Sequence, residues 1–202
     1  MSMWDERYDT GEYVYGTEPN DFLVQAFRTI SPGRVLNLAE GEGRNAVYLA
    51  RQGHRVTGVD SSAVGLRKAH ALAKANAVTI ETIHADLADF DIEPERFDAI
   101  TSFFWHPPQQ LRHTVYRRAV AGLRPGGHFV LEAFTPRQLA YDSGGPKDPA
   151  LLVEIEDLKR DLEGLEFPHA VELVRDFKEG LHHSGPGSVV QLIGVKPAPA
   201  RD

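Results

Sequence analysis

The chain has 202 residues, 42% hydrophobic and 25% charged, with a formal net charge of −7, so it can bury a core as a single domain without covalent staples. It contains no cysteine, which excludes disulfides, thiolate metal sites and a cysteine nucleophile. The acidic balance argues against a nucleic-acid partner, because non-specific binding to phosphates rests on Lys and Arg.

The first fifteen residues carry neither a basic leader with an apolar run nor a membrane-length apolar segment. The expectation is one cytoplasmic domain over 1–202 with no membrane partner, acting as a monomer or homodimer. Thr17-Glu18-Pro19-Asn20 marks a helix start, and Phe22, Leu23, Ala26, Phe27 and Ile30 recur at helical spacing until Ser31-Pro32-Gly33. Residues 1–33 thus read as a helical cap ahead of a sheet.

Residues 34–39 read as a buried strand, 44–52 as a helix ended by Gly53, and 55–59 as a second strand closed by Asp60. The alternation continues with a helix over 64–75, strands over 79–84 and 97–103, and a helix over 110–123. The turn Arg124-Pro-Gly-Gly127 then leads into a strand over 128–133. Short apolar strands alternating with helices predict an α/β fold with a mainly parallel sheet covered on both faces.

Beyond the loop 142–149, Leu151, Leu152, Ile155, Leu158 and Leu162 form an apolar stripe. Two strand-like runs follow at 171–177 and 189–195, and Gly185-Pro-Gly187 between them reads as the turn of a hairpin. The tail 196–202 is rich in Pro and Ala and reads as frayed.

Glu40-Gly-Glu-Gly-Arg-Asn-Ala46 lies between the first strand and its helix, where Gly41 and Gly43 let a nucleotide-like ligand approach the backbone. Asp60 ends the second strand, where a carboxylate accepts from both hydroxyls of a ribose. Gly41-x-Gly43-x-x-Ala46 also fits the fingerprint of an NAD-dependent oxidoreductase, so the glycines alone do not select the cofactor. Asp86, after the third strand, is placed either to accept from an adenine amino group or to cap a helix. Glu40, Glu42, Asp60 and Asp86 favour a cationic ligand over a pyrophosphate.

At these residues the chain resembles the class I methyltransferases dependent on S-adenosylmethionine (SAM), within them the tellurite-resistance methyltransferase-like group. The resemblance rests on Trp4-Asp-Glu-Arg-Tyr8, Tyr15-Gly-Thr-Glu-Pro-Asn20, Gly41-Glu-Gly-Arg-Asn45 with Tyr48-Leu-Ala50, Val59-Asp60, Ala85-Asp86, Phe97-Asp98 and Leu123-Arg-Pro-Gly-Gly127. It implies a Rossmann-like seven-stranded sheet with an antiparallel terminal strand and methyl transfer from SAM to a small acceptor such as a soft oxyanion or a thiol. Implied or expected cofactor residues are Tyr15, Ala39, Glu40, Gly41, Gly43, Asn45, Asp60, Ser61, Asp86, Leu87, Phe103 and Phe104. The chain departs from the group's usual Asp-Leu-Gly-Cys-Gly by reading Asn37-Leu38-Ala39-Glu40-Gly41, which keeps open a non-catalytic SAM-binding protein.

Phe103-Phe-Trp-His-Pro-Pro-Gln109 leaves the fourth strand beside the expected methyl position and offers either an aromatic wall or ordinary packing. The resemblance makes His182, in Gly180-Leu-His-His-Ser184, the first candidate for a catalytic or acceptor-orienting group, with His106 second. Adjacent His182 and His183 without a nearby carboxylate make a poor metal site, so no metal is expected. Gly144-Gly145-Pro146 offers hinge-like residues in a loop beside the pocket, or a plain exposed connection.

Overall fold

The computed structural model describes residues 2–180 and 183–198. Seven strands form one sheet in the order β3-β2-β1-β4-β5-β7-β6. The first five, β1 (Arg34–Leu38), β2 (Arg55–Asp60), β3 (Glu81–His84), β4 (Phe97–Phe103) and β5 (Leu123–Phe134), pair in parallel. The last two, β6 (Glu166–Glu179) and β7 (His183–Val195), form an antiparallel hairpin, and β7 inserts against β5. This is the expected α/β sheet with one reversed strand.

The central strands are buried on both faces, which is why they read as unbroken apolar runs rather than alternating ones. On one face, Phe22 and Leu23 of α2 (Asp21–Ala26), Val47 and Leu49 of α3 (Arg44–Arg51) and Leu72 of α4 (Ala63–Ala75) pack on Val35, Val56 and Val130. On the other, Tyr116 and Ala119 of α5 (Gln109–Gly122) and Leu158 of α6 (Ile155–Asp161) pack on Leu36, Ile100 and Leu131. A short first helix, α1 (Met3–Tyr8), rests on α4. Its Asp5 accepts from the Ser62 hydroxyl at 2.7 Å and the Val64 N–H at 3.3 Å, and these bonds, the Ser62 hydroxyl foremost, hold the carboxyl well below its usual range.

Several element boundaries differ from the sequence reading. The second helix ends at Ala26, although Phe27 and Ile30 stay buried, because the chain continues in turns that keep them against the sheet. Arg124-Pro-Gly-Gly127 is an excursion inside β5, whose register shifts between the pairs Phe97↔Leu123 and Ala99↔His128. The apolar stripe after the loop spans two elements, the 3-10 turn Pro149–Leu151 and α6. Gly185-Pro186-Gly187 is not the hairpin turn: it lies within β7 opposite Phe177, Asp176 and Arg175, and the reversal falls between Glu179 and His183. Gly187 is there for space, as a Cβ would sit 2.5 Å from the Phe177 ring.

Among the described residues no helix is long and apolar enough to cross a membrane.

Candidate functional site

The parallel strands all end on one edge, and the strand order reverses between β1 and β4, the place where open α/β sheets bind ligands. A cavity of about 720 Å³ opens there, within the 300–1,000 Å³ range of small-molecule sites. Of the expected residues, Tyr15, Ala39, Glu40, Gly41, Asn45, Asp60, Ser61, Asp86, Leu87, Phe103 and Phe104 line it together with His106.

Gly43 does not line the cavity. Its φ of +95° begins α3, and a Cβ there would stand 2.6 Å from the Ala69 backbone; its missing side chain lets two helices close on each other instead of admitting a ligand. Gly41 also has positive φ, +65°, and a Cβ would meet the Tyr8 hydroxyl at 2.8 Å.

The carboxylates do unequal work. Asp60, buried, accepts from the Gly41 N–H at 2.7 Å and the Ser62 N–H at 2.8 Å, tying the glycine loop to the start of α4. Burial raises its pKa from the ordinary value. Asp86 is exposed at the cavity rim and accepts from the Ala88 N–H at 2.9 Å within a turn, so it caps no helix while also facing the cavity. Glu42 turns into the protein: it accepts from the Val14 N–H at 2.8 Å and pairs with Lys68 at 2.5 Å, fastening the N-terminal segment.

Glu40 folds under the loop. It accepts from the Asn37 side-chain amide at 2.5 Å and from the Ala46 N–H at 3.1 Å, giving α3 the side-chain cap that Gly43 lacks. The Asn37 oxygen in turn accepts from the Thr101 hydroxyl at 2.7 Å. Its methylenes occupy the space that a side chain on Gly58 would need, 2.8 Å from that hypothetical Cβ. Burial pushes the Glu40 carboxyl up to about 7 from 4.5. Between these values the folded state holds a proton that the unfolded chain has released, so stability falls as pH rises from about 4.5 to 7. Glu40→Gln is expected to remove that slope, worth up to about 3 kcal/mol, as read from urea midpoints of the two proteins across this window.

Ala39 adopts φ +53°, a left-handed conformation that strains any residue with a Cβ. Ala39→Gly relieves the strain at some cost in unfolded-chain entropy. The expected net gain is about 0.5–1 kcal/mol, seen as a melting midpoint raised by about 2 °C.

At the other end of the cavity the fourth strand runs into Phe104, also left-handed at φ +53°. Its ring packs against His183 at 4.7 Å, Phe134 at 4.9 Å and Phe177 at 5.8 Å between centroids. A bulky residue kept in so sparsely populated a conformation is held by its surroundings. The loop beyond β5 adds Gly144, Gly145 and Pro146 to the wall, and a Cβ on Gly145 would collide with the Phe134 ring at 2.7 Å. This loop is tied down at its base, because Gln138 donates to Ser143 and Gly144 and accepts from the Ser188 N–H.

The two candidate histidines fare differently. His182 lies outside the described residues. His106 lines the cavity, but its Nδ1 lies 3.0 Å from the Leu151 carbonyl and its Nε2 accepts from the Phe134 N–H at 3.4 Å. With burial pushing it down to about 4, it is a neutral ring that joins two segments and has no nitrogen left for proton transfer. The neighbouring His183, which the sequence reading passed over, lines the cavity instead. Its Nδ1 faces Glu179 Oε2 at 3.6 Å, and burial lowers its pKa.

Behind His183 lies an ionic cluster that sequence reasoning missed. Glu132, fully buried, receives two bonds from Arg175, at 2.9 and 2.7 Å, and one each from Gln191 and Asn20. Glu179 receives Arg175 at 2.5 Å and Arg44 at 2.8 Å. Burial would raise Glu179, but these guanidiniums, with His183 beside it, hold it well below the carboxylate range. Trp4 and Tyr8 of α1 also line the cavity, their rings stacked at 5.6 Å; the motif Trp4 to Tyr8 was the signal available for them. Among the described residues no group of three His, Asp or Glu side chains is placed to hold a metal.

Residues 35–127 match a family described as a methyltransferase domain. A 2-heptyl-1-hydroxyquinolin-4(1H)-one methyltransferase of Mycobacteroides abscessus is 29% identical over 117 residues, covering 56% of this chain and 52% of that protein. The chain spans about half the length of the curated relatives it matches. Among solved structures, TehB from Haemophilus influenzae superposes with a TM-score of 0.73 at 20% identity, covering 96% of this chain and 65% of that one. A structure from work on the conversion of a disulfide bond into a thioacetal group during echinomycin biosynthesis gives 0.76 at 17% identity, covering 97% and 89%. The fold is that of the class I methyltransferases.

Proposed function

We propose that this chain, whose residues 35–127 match a methyltransferase domain, binds SAM in the cavity at the β1/β4 edge and transfers its methyl group to a small-molecule acceptor. The observation that carries the reading is the charge and shape of that cavity. Three carboxylates, Asp60, Asp86 and Asp142, line it with Glu40 folded beneath the loop and Glu42 turned to Lys68, against two guanidiniums, Arg7 and the Glu179-paired Arg44, around the positive-φ turn at Gly41. Such a lining suits a ligand carrying a sulfonium and an ammonium, and it disfavours the pyrophosphate of a nicotinamide dinucleotide.

Ser61, Asp86 and Leu87 would flank the nucleoside part, with Asp60 holding the glycine loop in the shape that receives it. Ala39, Gly41 and Asn45 would line the path of the amino-acid part, and Tyr15, Phe103 and Phe104 would close the cavity towards the acceptor. When bound, SAM supplies an electrophilic methyl group on a positively charged sulfur. Aligning that group with the acceptor at near-attack distance is the main task left to the protein, worth ~7–11 kcal/mol. The aromatic rings keep water out of the reaction, and His183 stands where it can take a proton from an acidic acceptor.

Calorimetric titration with SAM and with its demethylated product tests the reading: saturable 1:1 binding of both is expected, with no binding of NADH. Tight NADH binding without SAM binding would favour the oxidoreductase. Tight SAM binding with no labelled methyl delivered to any acceptor would favour a non-catalytic SAM-binding protein.

A further inference from the structure

Beyond the cofactor end, the cavity continues into a wall built from Phe104, Trp105, Phe134, Leu111, Leu151 and Pro146. The rings interlock: Phe134 stacks on His106 at 5.6 Å with 21° between planes, and meets His183 edge-on at 5.3 Å and 90°. Trp105 leans on Tyr116 at 5.8 Å. Rings braced in this way present a slot whose flat faces suit a planar guest.

The electrostatics of the slot are equally specific. Both histidines in the wall are driven towards the neutral form by burial. Each guanidinium lining the cavity is already engaged, Arg44 by Glu179 and the Tyr15 carbonyl, and Arg7 by the Tyr15 hydroxyl while lying 5.0 Å over the Trp4 ring. Arg175 lies further back, bound to Glu132 and Glu179. Among the described residues, an anionic acceptor would therefore meet more carboxylates than guanidiniums, with Arg44 paired to Glu179 and Arg7 exposed beside Tyr15 and Trp4.

Resting on the SAM reading above, we propose that the acceptor is an uncharged, planar, largely apolar molecule carrying an ionisable hydroxyl group, an aromatic alcohol or hydroxylated heterocycle, rather than an inorganic oxyanion or a small polar thiol. The guest's ring lies on the half-buried Phe104 and Trp105, with Phe134 packed behind them, and the hydroxyl points towards His183. In the transfer the O–H bond breaks and its proton passes to the imidazole. The oxygen forms the new O–CH3 bond as the sulfonium S–CH3 bond breaks, its electron pair staying on sulfur, and the proton later leaves to solvent. The Glu179 carboxylate, 3.6 Å from His183 Nδ1, orients the ring and stabilises the imidazolium.

The test supplies the full chain with methyl-labelled SAM and one of four acceptors: 2-naphthol, 4-hydroxyquinoline, sodium selenite or 2-mercaptoethanol. Label is expected in one or both hydroxylated aromatics at a kcat/KM at least tenfold above selenite and the thiol. Trp105→Leu, which keeps an apolar side chain on the wall, is expected to raise the KM for the aromatic acceptor about tenfold while leaving SAM affinity, measured by calorimetry, within twofold. Faster labelling of selenite or the thiol overturns the proposal, as does SAM binding without labelling of either aromatic. Failure to bind SAM at all overturns the cofactor reading, and this one with it, so calorimetry separates the two failures.

Discussion

Asp60→Ala is expected to weaken SAM binding by about two orders of magnitude, about 2.7 kcal/mol. The carboxylate is the joint between two loops: one oxygen takes the Gly41 N–H at 2.7 Å and the other the Ser62 N–H at 2.8 Å. Hydrogen bonds to a charged acceptor contribute about 1.5–3 kcal/mol each, and a buried N–H left without an acceptor costs a similar amount. Truncation releases the glycine loop, whose Ala39 is already strained at φ +53°, and removes a negative charge that faces the cationic ligand. Asp60→Asn retains one acceptor oxygen and should fall between the wild type and the alanine variant. The measurement is the calorimetric Kd of the three proteins, and equal values for Asp60→Ala and wild type would remove Asp60 from the binding site.

The largest loss of stability is expected at Glu132, in the buried ionic cluster behind His183. Glu132→Ala leaves the buried Arg175 guanidinium with Glu179 and the more distant Asp21 to balance it, strips the Gln191 amide of its acceptor and leaves the Asn20 amide its longer bond to Glu179, at 3.2 Å. Removing one member of a buried ionic cluster costs about 3–5 kcal/mol, which for a chain of this size lowers the melting midpoint by roughly 10–15 °C. Replacing Glu132 and Arg175 together by Leu should recover part of the loss, since no uncompensated charge then remains. Thermal melts followed by circular dichroism decide the matter; a midpoint for Glu132→Ala within 2 °C of wild type would mean that the cluster contributes little.

The parallel half of the molecule was legible because its physics is local. Strands buried on both faces appear as apolar runs such as Val35-Leu36, and the helices between them carry their own periodicity and stops. The cofactor end was legible for the same reason, since the Gly41 turn, Asp60 and Asp86 each follow directly on a strand. The C-terminal hairpin was harder. Gly185-Pro186-Gly187 carries the composition of a turn, yet the positive φ of Gly180 and the pairing Glu179↔His183 put the reversal upstream. His183, the first residue of β7, is the histidine of this segment that lines the cavity among the described residues.

Partnerships between distant residues left no trace in a single sequence. Glu132 and Arg175 are 43 positions apart, and Asn20 reaches Glu132 across 112. Glu40 was visible as a departure from the group's usual pattern, but its direction depends on the Asn37 amide, the Ala46 N–H and the bare backbone of Gly58, none of which spacing alone connects.

The position of β7 bears on how the protein is made. The strand nearest the C-terminus lies between β5 and β6, so until it has left the ribosome β5 has no neighbour on that side and β6 has no strand to pair with at all. Synthesis therefore completes the edge carrying the Gly41 turn, Asp60 and Asp86 before Phe177 and His183 join the aromatic wall. Strands β1 to β5 must wait, with the apolar edge at Leu131 and Ala133 unpaired, until β7 arrives, the interval in which a nascent α/β protein most needs a chaperone.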